Sequence, residues 1–145
     1  MRQLLIVVAL IFAHTAWGGE HKERVDKFDG KITRWFGSSL DEVAANNENL
    51  LAIRDYDSTK NTVEVYAITK QMNECRKYRK FELKSADGTI HKVDIVSQSR
   101  NGCSTIVNAD LIKDKFSVRV PLYNLPSAVI EIDTTNLDLS KILRQ

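Results

Sequence analysis

The chain has 145 residues, with 21 lysines and arginines against 19 aspartates and glutamates and a formal net charge of +2. So short a chain makes one domain rather than several, and so balanced a charge excludes a dedicated nucleic-acid binder. An apolar fraction of 43% and a charged fraction of 28% belong to an ordinary globular protein rather than a disordered one.

Residues 1–18 open with Arg2, run unbroken through apolar residues from Leu4 to Ala13, and close on small residues. That order is the pattern of a secretory signal peptide. The apolar run of about ten residues is half of what a membrane span needs, so it is expected to direct export without anchoring. Ala16-Trp17-Gly18 places small residues where signal peptidase reads them, with the cut before Gly19. A cut after Ala16 is the alternative, and it puts His14 at the outer small-residue position. The mature chain is then a single β-rich domain over 19–145. Arg2 leaves with the leader, so its charge is close to neutral.

Residues 20–31 are dense in charge and read as a solvated arm ending in the turn signal Asp29-Gly30. Residues 31–36 follow as a short strand that carries Trp35 and Phe36. Ser39 and Glu42 make a capping-box pattern, which predicts a short helix over 40–47 that ends in asparagines. Residues 50–56 and 62–69 form a predicted hairpin. In its second strand Val63, Val65 and Ala67 share one face, and Thr62, Glu64, Tyr66 and Ile68 the other. Strands over 75–84 and 89–97 are joined across Asp87-Gly88, a strong hairpin signal. Asn101-Gly102 is a second turn, followed by strands over 103–108, 116–122 and 128–133. Apolar residues at 137, 139, 142 and 143 suit a short helix or a last strand equally. The expected fold is mainly β: a small antiparallel two-sheet sandwich with one short N-terminal helix and one intramolecular disulfide.

The disulfide joins Cys75 and Cys103, because two cysteines in a small exported domain pair. In a flat meander of 75–84, 89–97 and 103–108 their Cα atoms would stand about 9–10 Å apart. A bridge tolerates less than about 7 Å. Strand 103–108 is therefore expected to leave the 75–97 hairpin for the other sheet, or to wrap to the far side of strand 75–84. Both cysteines sit in Asn-x-Cys, and the chain has no Asn-x-Ser/Thr, so it is expected to carry no N-glycan.

No catalytic, metal-binding or cofactor-binding residue is expected. After the leader only His21 and His91 remain. No HExxH, no cysteine pair at metal spacing and no Gly-x-Ser-x-Gly is present. Asp55 to Thr59 reads as a hairpin loop, with too few oxygen ligands for calcium.

Two groups of residues suit binding. Arg76, Lys77, Arg79 and Lys80 surround Tyr78, with Lys84 beyond. On one strand Arg76, Tyr78 and Lys80 share a face, while Lys77 and Arg79 share the other with Phe81 and Leu83. Such a run suits a sulfated glycan, an anionic membrane or an acidic partner. It suits better an edge strand guarded by cations. Trp35, Phe36 and Tyr123 are candidate protein contacts, with Tyr123 at a loop tip. Trp35 and Phe36 also suit the core.

The expected function is that of a secreted, extracellular, non-catalytic effector or binding protein. It would act as a monomer through a surface patch on an extracellular protein, receptor or sulfated glycan. Neither nucleic acid nor a transmembrane anchor is involved. Saliva, venom and immune-modulating proteins work this way, a likeness of type that rests on no matched motif. The alternatives are an extracellular carrier of a small apolar ligand inside the sandwich, and a glycosaminoglycan-binding module acting through 76–80.

Overall fold

A computed structural model describes residues 17–37 and 49–145. Its strands are β1 (Trp17–Gly18), β2 (Glu20–Val25), β3 (Ile32–Gly37), β4 (Leu50–Asp57), β5 (Thr62–Ile68), β6 (Lys80–Ser85), β7 (Ile90–Asp94), β8 (Ser97–Gln98), β9 (Gly102–Asn108), β10 (Lys115–Leu122) and β11 (Leu125–Asp133). A one-turn helix, α1 (Cys75–Tyr78), precedes β6, and 3-10 turns span Ala109–Ile112 and Leu139–Ile142. The strands form two sheets, in the orders β1-β11-β10-β6-β7 and β2-β3-β4-β5-β9-β8. All pairings are antiparallel except β1 on β11.

Alternation along each strand sends one set of side chains inward. From the six-stranded sheet these are Phe36, Leu51, Ile53, Val63, Val65, Ala67 and Val107. Phe81, Leu83, Phe116, Val118, Val120, Ile130 and Ile132 meet them from the other sheet, and all are buried. Each large side chain removed from water contributes roughly 1.5–3 kcal/mol.

The expected departure of strand 103–108 is observed. β9 leaves the β6–β7 hairpin and pairs with β5 along its whole length, from Thr62↔Asn108 to Ile68↔Gly102. Cys75 and Cys103 are bridged at a Cα separation of 6.5 Å, and both are fully buried. The bridge ties the segment that crosses into the five-stranded sheet to β9 of the six-stranded one.

Several sequence readings are corrected. Residues 75–84 are not one strand. Asn73 Oδ1 accepts the Cys75 N–H at 3.1 Å, which starts a helical turn. Arg79 N donates to Cys75 O at 2.8 Å, and Arg79 ends the turn at φ 61°. The strand begins only at Lys80. Lys80, Glu82 and Lys84 therefore face outward opposite Phe81 and Leu83. Arg76, Lys77 and Arg79 belong to the turn and share no strand face. Residues 20–25 are no free arm but β2, paired with β3 from Glu20↔Gly37 to Val25↔Ile32. Charge on both faces suits its place at a sheet edge. Strand 89–97 is shorter than expected, because Ile95 N bonds Arg79 O and Val96 N bonds Ser104 O, handing the chain to the other sheet. The tail makes a 3-10 turn that buries Ile142, and Arg144 N then bonds Tyr56 O at 2.9 Å. The helix expected over 40–47 lies outside the described residues.

The β6–β7 turn is built as its sequence predicts. Gly88 takes φ 87°. Asp87 Oδ1 accepts from Ser85 Oγ at 2.6 Å and Thr89 N at 3.0 Å. These bonds pull the Asp87 carboxyl down to about 2. Most of residues 1–18, the expected leader, lies outside the described residues, but Trp17 and Gly18 pair with Ile132 and Asp133. A cut before Gly19 removes that pairing and leaves Gly19 N bonded to Asp133 O at 3.2 Å. A cut after Ala16 keeps both.

Candidate functional site: the projecting β2–β3 hairpin

The sequence-derived candidates fall into two separate places. Arg76, Lys77, Tyr78 and Arg79 are exposed around α1. Lys77 Nζ lies 5.5 Å from the Tyr78 ring centre. Arg76, Lys77 and Arg79 make no ion pair among the described residues. Lys80 is answered by Asp94 at 3.4 Å. Lys84 sits further along the outer face, so the basic run divides. Tyr123 joins the α1 end, since its N–H donates to Met72 O at 2.9 Å, and its side chain is exposed. Trp35 and Phe36 lie in β3. Phe36 is fully buried, so it is a core residue and not a protein contact. Trp35 on the opposite face is half-buried.

β3 shows why its hairpin stands out from the body. It shares six residue pairs with β2 but only Phe36↔Ile53 and Gly37↔Ala52 with β4. Among the described residues, no strand lies beside the hairpin on the β4 side outward of Trp35. β4 turns away because Asp55 takes φ 53° and the β4–β5 register shifts between Arg54 and Asp57, as at a bulge that bends its strand. A cavity of about 340 Å³ opens in the gap, lined by Ile32, Arg34, Asp55 and Leu143 among others.

The base of the hairpin is held firmly. The Phe36 ring meets His21 edge-on at 5.0 Å between centroids. Gly19 lies so close that a Cβ there would run into the Phe36 ring. His21 Nε2 accepts the Asp138 N–H at 3.0 Å, which ties β2 to the C-terminal segment. His21 Nδ1 is buried and makes no hydrogen bond among the described residues. Burial, then the Lys141 charge, hold its pKa below the usual histidine value, against weaker pulls from Asp138 and the Asn136 backbone. The neutral ring is the form able to accept at Nε2.

The tip is equally defined but bare. Asp26 N bonds Lys31 O at 2.8 Å and Gly30 N bonds Asp26 O at 2.9 Å. Asp26 Oδ1 accepts the Phe28 N–H at 2.7 Å, and Asp29 Oδ1 accepts the Lys31 N–H at 2.8 Å. Gly30 supplies the left-handed residue at φ 74°. This frame leaves the Phe28 side chain 99% exposed and Val25 53% exposed. Isolated exposed apolar residues are common on proteins. A phenyl ring wholly in water on a hydrogen-bonded tip is a different object, because neither packing nor disorder hides it. Sequence reasoning found the Asp29-Gly30 turn but not its cargo. The available signal was the aromatic between Lys27 and Asp29, inside a turn bounded by two strand-length runs.

Behind the hairpin, on the outer face of the six-stranded sheet, lies a cleft of about 250 Å³. Trp35, Leu50, Tyr66 and Ile68 supply apolar wall, and Arg24 and Arg54 supply charge. Arg54 reaches Glu64 Oε1 through Nε at 2.9 Å and Nη2 at 2.7 Å. Its guanidinium also lies 5.4 Å from the Tyr66 ring centre, so it is held in place. Neither this cleft nor the cavity beside Asp55 is lined by the inward Val63, Val65, Val118 or Val120. Comparison of the chain with protein-family models, curated proteins and solved structures finds no match.

Proposed function

We propose that the protein is a secreted, non-catalytic binding protein whose recognition element is the projecting β2–β3 hairpin. The single observation that carries this reading is the fully exposed Phe28 on a rigid tip anchored at its base. Aromatic side chains dominate binding energy at protein interfaces. A preordered loop loses little conformational freedom when it docks. The disulfide-bridged sandwich supplies the rigid body from which such loops act. Photo-crosslinking tests the reading. The mature protein carrying benzoylphenylalanine in place of Phe28 is expected to give a discrete adduct in the extracellular fluid of its source. The same label at exposed Ala86, on the β6–β7 turn, is expected to give none. Equal adducts from both positions, or none from position 28, would overturn it.

A second reading has its own observation: Arg76, Lys77 and Arg79 are three exposed cations on one turn, without ion pairs among the described residues. Such a turn offers several charges to a sulfated glycan. Reversing these three charges is expected to lower the salt at which the protein leaves a heparin column, with the fold unchanged by circular dichroism. Reversing Lys80, already met by Asp94, is expected to matter less. Unchanged elution of the triple variant would remove the glycan reading.

A further inference from the structure

Granted the glycan reading of α1, the fold brings a further cation to the same end of the sandwich. Asn73 is the junction. Its N–H donates to Arg100 O at 3.0 Å and its Nδ2 to Ser99 O at 3.0 Å. Its Oδ1 accepts the Cys75 N–H that starts α1. Asn73 also bridges Leu122, and Glu74 N bonds Pro121 O at 2.8 Å. At the far end of the turn, Ile95 N bonds Arg79 O at 2.9 Å. The β8–β9 connection therefore lies directly beside α1. Arg100 is exposed on it and makes no ion pair among the described residues.

The charge here is one-sided among the described residues. Residues 69–80, 95–102 and 121–127 hold Lys70, Arg76, Lys77, Arg79, Lys80 and Arg100 against one carboxylate, Glu74. Asp94 answers Lys80 at 3.4 Å, and Glu74 offsets one more, which leaves an excess of four positive charges. We infer that Arg100 completes the α1 site, and that the site takes a linear polysulfated glycan chain rather than a single inorganic anion.

Two observations select a chain. Arg76 and Lys77 are successive on a helical turn, so their side chains leave it about 100° apart. Arg79 closes that turn in a left-handed conformation, and Arg100 comes from a separate connection. One sulfate or phosphate ion meets few such cations at once, and a flat anionic bilayer cannot face Arg76 and Lys77 together. A flexible chain with repeated sulfates can follow them in turn. The segments that carry the cations are also cross-tied by the backbone bonds around Asn73, so little backbone freedom is lost when a chain binds.

Heparin chromatography of Arg100→Glu and Lys84→Glu tests the extension. Both make the same change of charge, but Lys84 is exposed at the far end of β6. Arg100→Glu is expected to lower the eluting salt further than Lys84→Glu, and by a wider margin than on a sulfopropyl resin, which reads charge without chain geometry. In calorimetry at fixed ionic strength a heparin hexasaccharide is expected to bind at least about tenfold tighter than inorganic sulfate, and Arg100→Glu to weaken it severalfold. Equal shifts of the two variants on heparin would overturn the inference. So would sulfate binding as tightly as the hexasaccharide, or Arg100-dependent binding to phosphatidylcholine–phosphatidylserine vesicles without binding to the hexasaccharide. The α1 triple variant separates the two levels. If it loses heparin affinity while Arg100→Glu behaves like Lys84→Glu, the extension alone fails. If the triple variant elutes unchanged, the glycan reading itself fails.

Discussion

Replacing both Cys75 and Cys103 by alanine is expected to destabilise the sandwich by about 3–4 kcal/mol, a large part of the roughly 5–15 kcal/mol that holds a domain of this size. The bridge spans a sequence separation of 28 and closes the excursion that carries β6 and β7 into the other sheet. Without it the unfolded chain regains the freedom of that loop. The folded chain keeps the β5–β9 ladder, which Thr69 N reinforces by bonding Asn101 O at 2.7 Å. The loss should therefore appear as a lower midpoint in guanidinium titration and a steeper slope, since the unbridged unfolded state exposes more surface. Reduction of the natural protein removes the same constraint without deleting sulfur atoms, so it should account for most of the loss. A drop below about 1 kcal/mol in the reduced protein would mean that the ladder alone holds the crossover and that chain entropy is a minor factor here.

Phe36→Ala is expected to cost about 3–5 kcal/mol. Phe36 is wholly buried, heads the large interior side chains, and stands where three segments meet. Its ring touches His21 of β2, lies against Gly19, and pairs through its backbone with Ile53 of β4. The structure has no ready way to fill the space, because Gly19 carries no side chain and His21 is held by Asp138. Urea titration measures the global loss. A local readout should accompany it, because removing the ring frees His21 from one of its walls. The pKa of His21, held low mainly by burial, is expected to move back toward the usual histidine value in an NMR pH titration. A small loss of stability with an unmoved His21 would show that the hairpin base is held by β3–β4 pairing alone. Gly37→Ala probes the same joint from the backbone side. Gly37 takes φ 150°, and a Cβ there would collide with the Leu51 carbonyl.

The α1 segment shows where local reasoning stopped. Cys75 to Lys84 alternates well enough to pass for one strand. The deciding features are Asn73 capping the Cys75 amide and Arg79 adopting a left-handed conformation. The buried bridge holds Cys75 in place and Phe81 anchors the strand that follows. The candidate anionic site was legible as a cluster in sequence, yet it divides because a break of one residue sends its members to different surfaces. The β2 segment erred in the opposite direction. Its charges spoke for solvent, and they are in solvent, but an edge strand can be charged on both faces and remain a strand.

Short-range chemistry by itself determined the turns at Asp29-Gly30 and Asp87-Gly88, the inward set Val63, Val65 and Ala67, and the pairing of Cys75 with Cys103. It also narrowed strand 103–108 to two places, the other sheet or the far side of strand 75–84, because a sulfur bridge cannot reach across a flat sheet. Period-two alternation and bond lengths are local properties, and they read directly from residue order. Only the tertiary structure decided that β3 departs from β4 after two residue pairs, that Phe36 points inward while Trp35 points out, and that Phe28 is left bare. Those outcomes depend on which strand lies beside which, and on where a backbone bend at Asp55 ends the pairing. Such contacts are made between residues distant in the chain, so no single segment contains them.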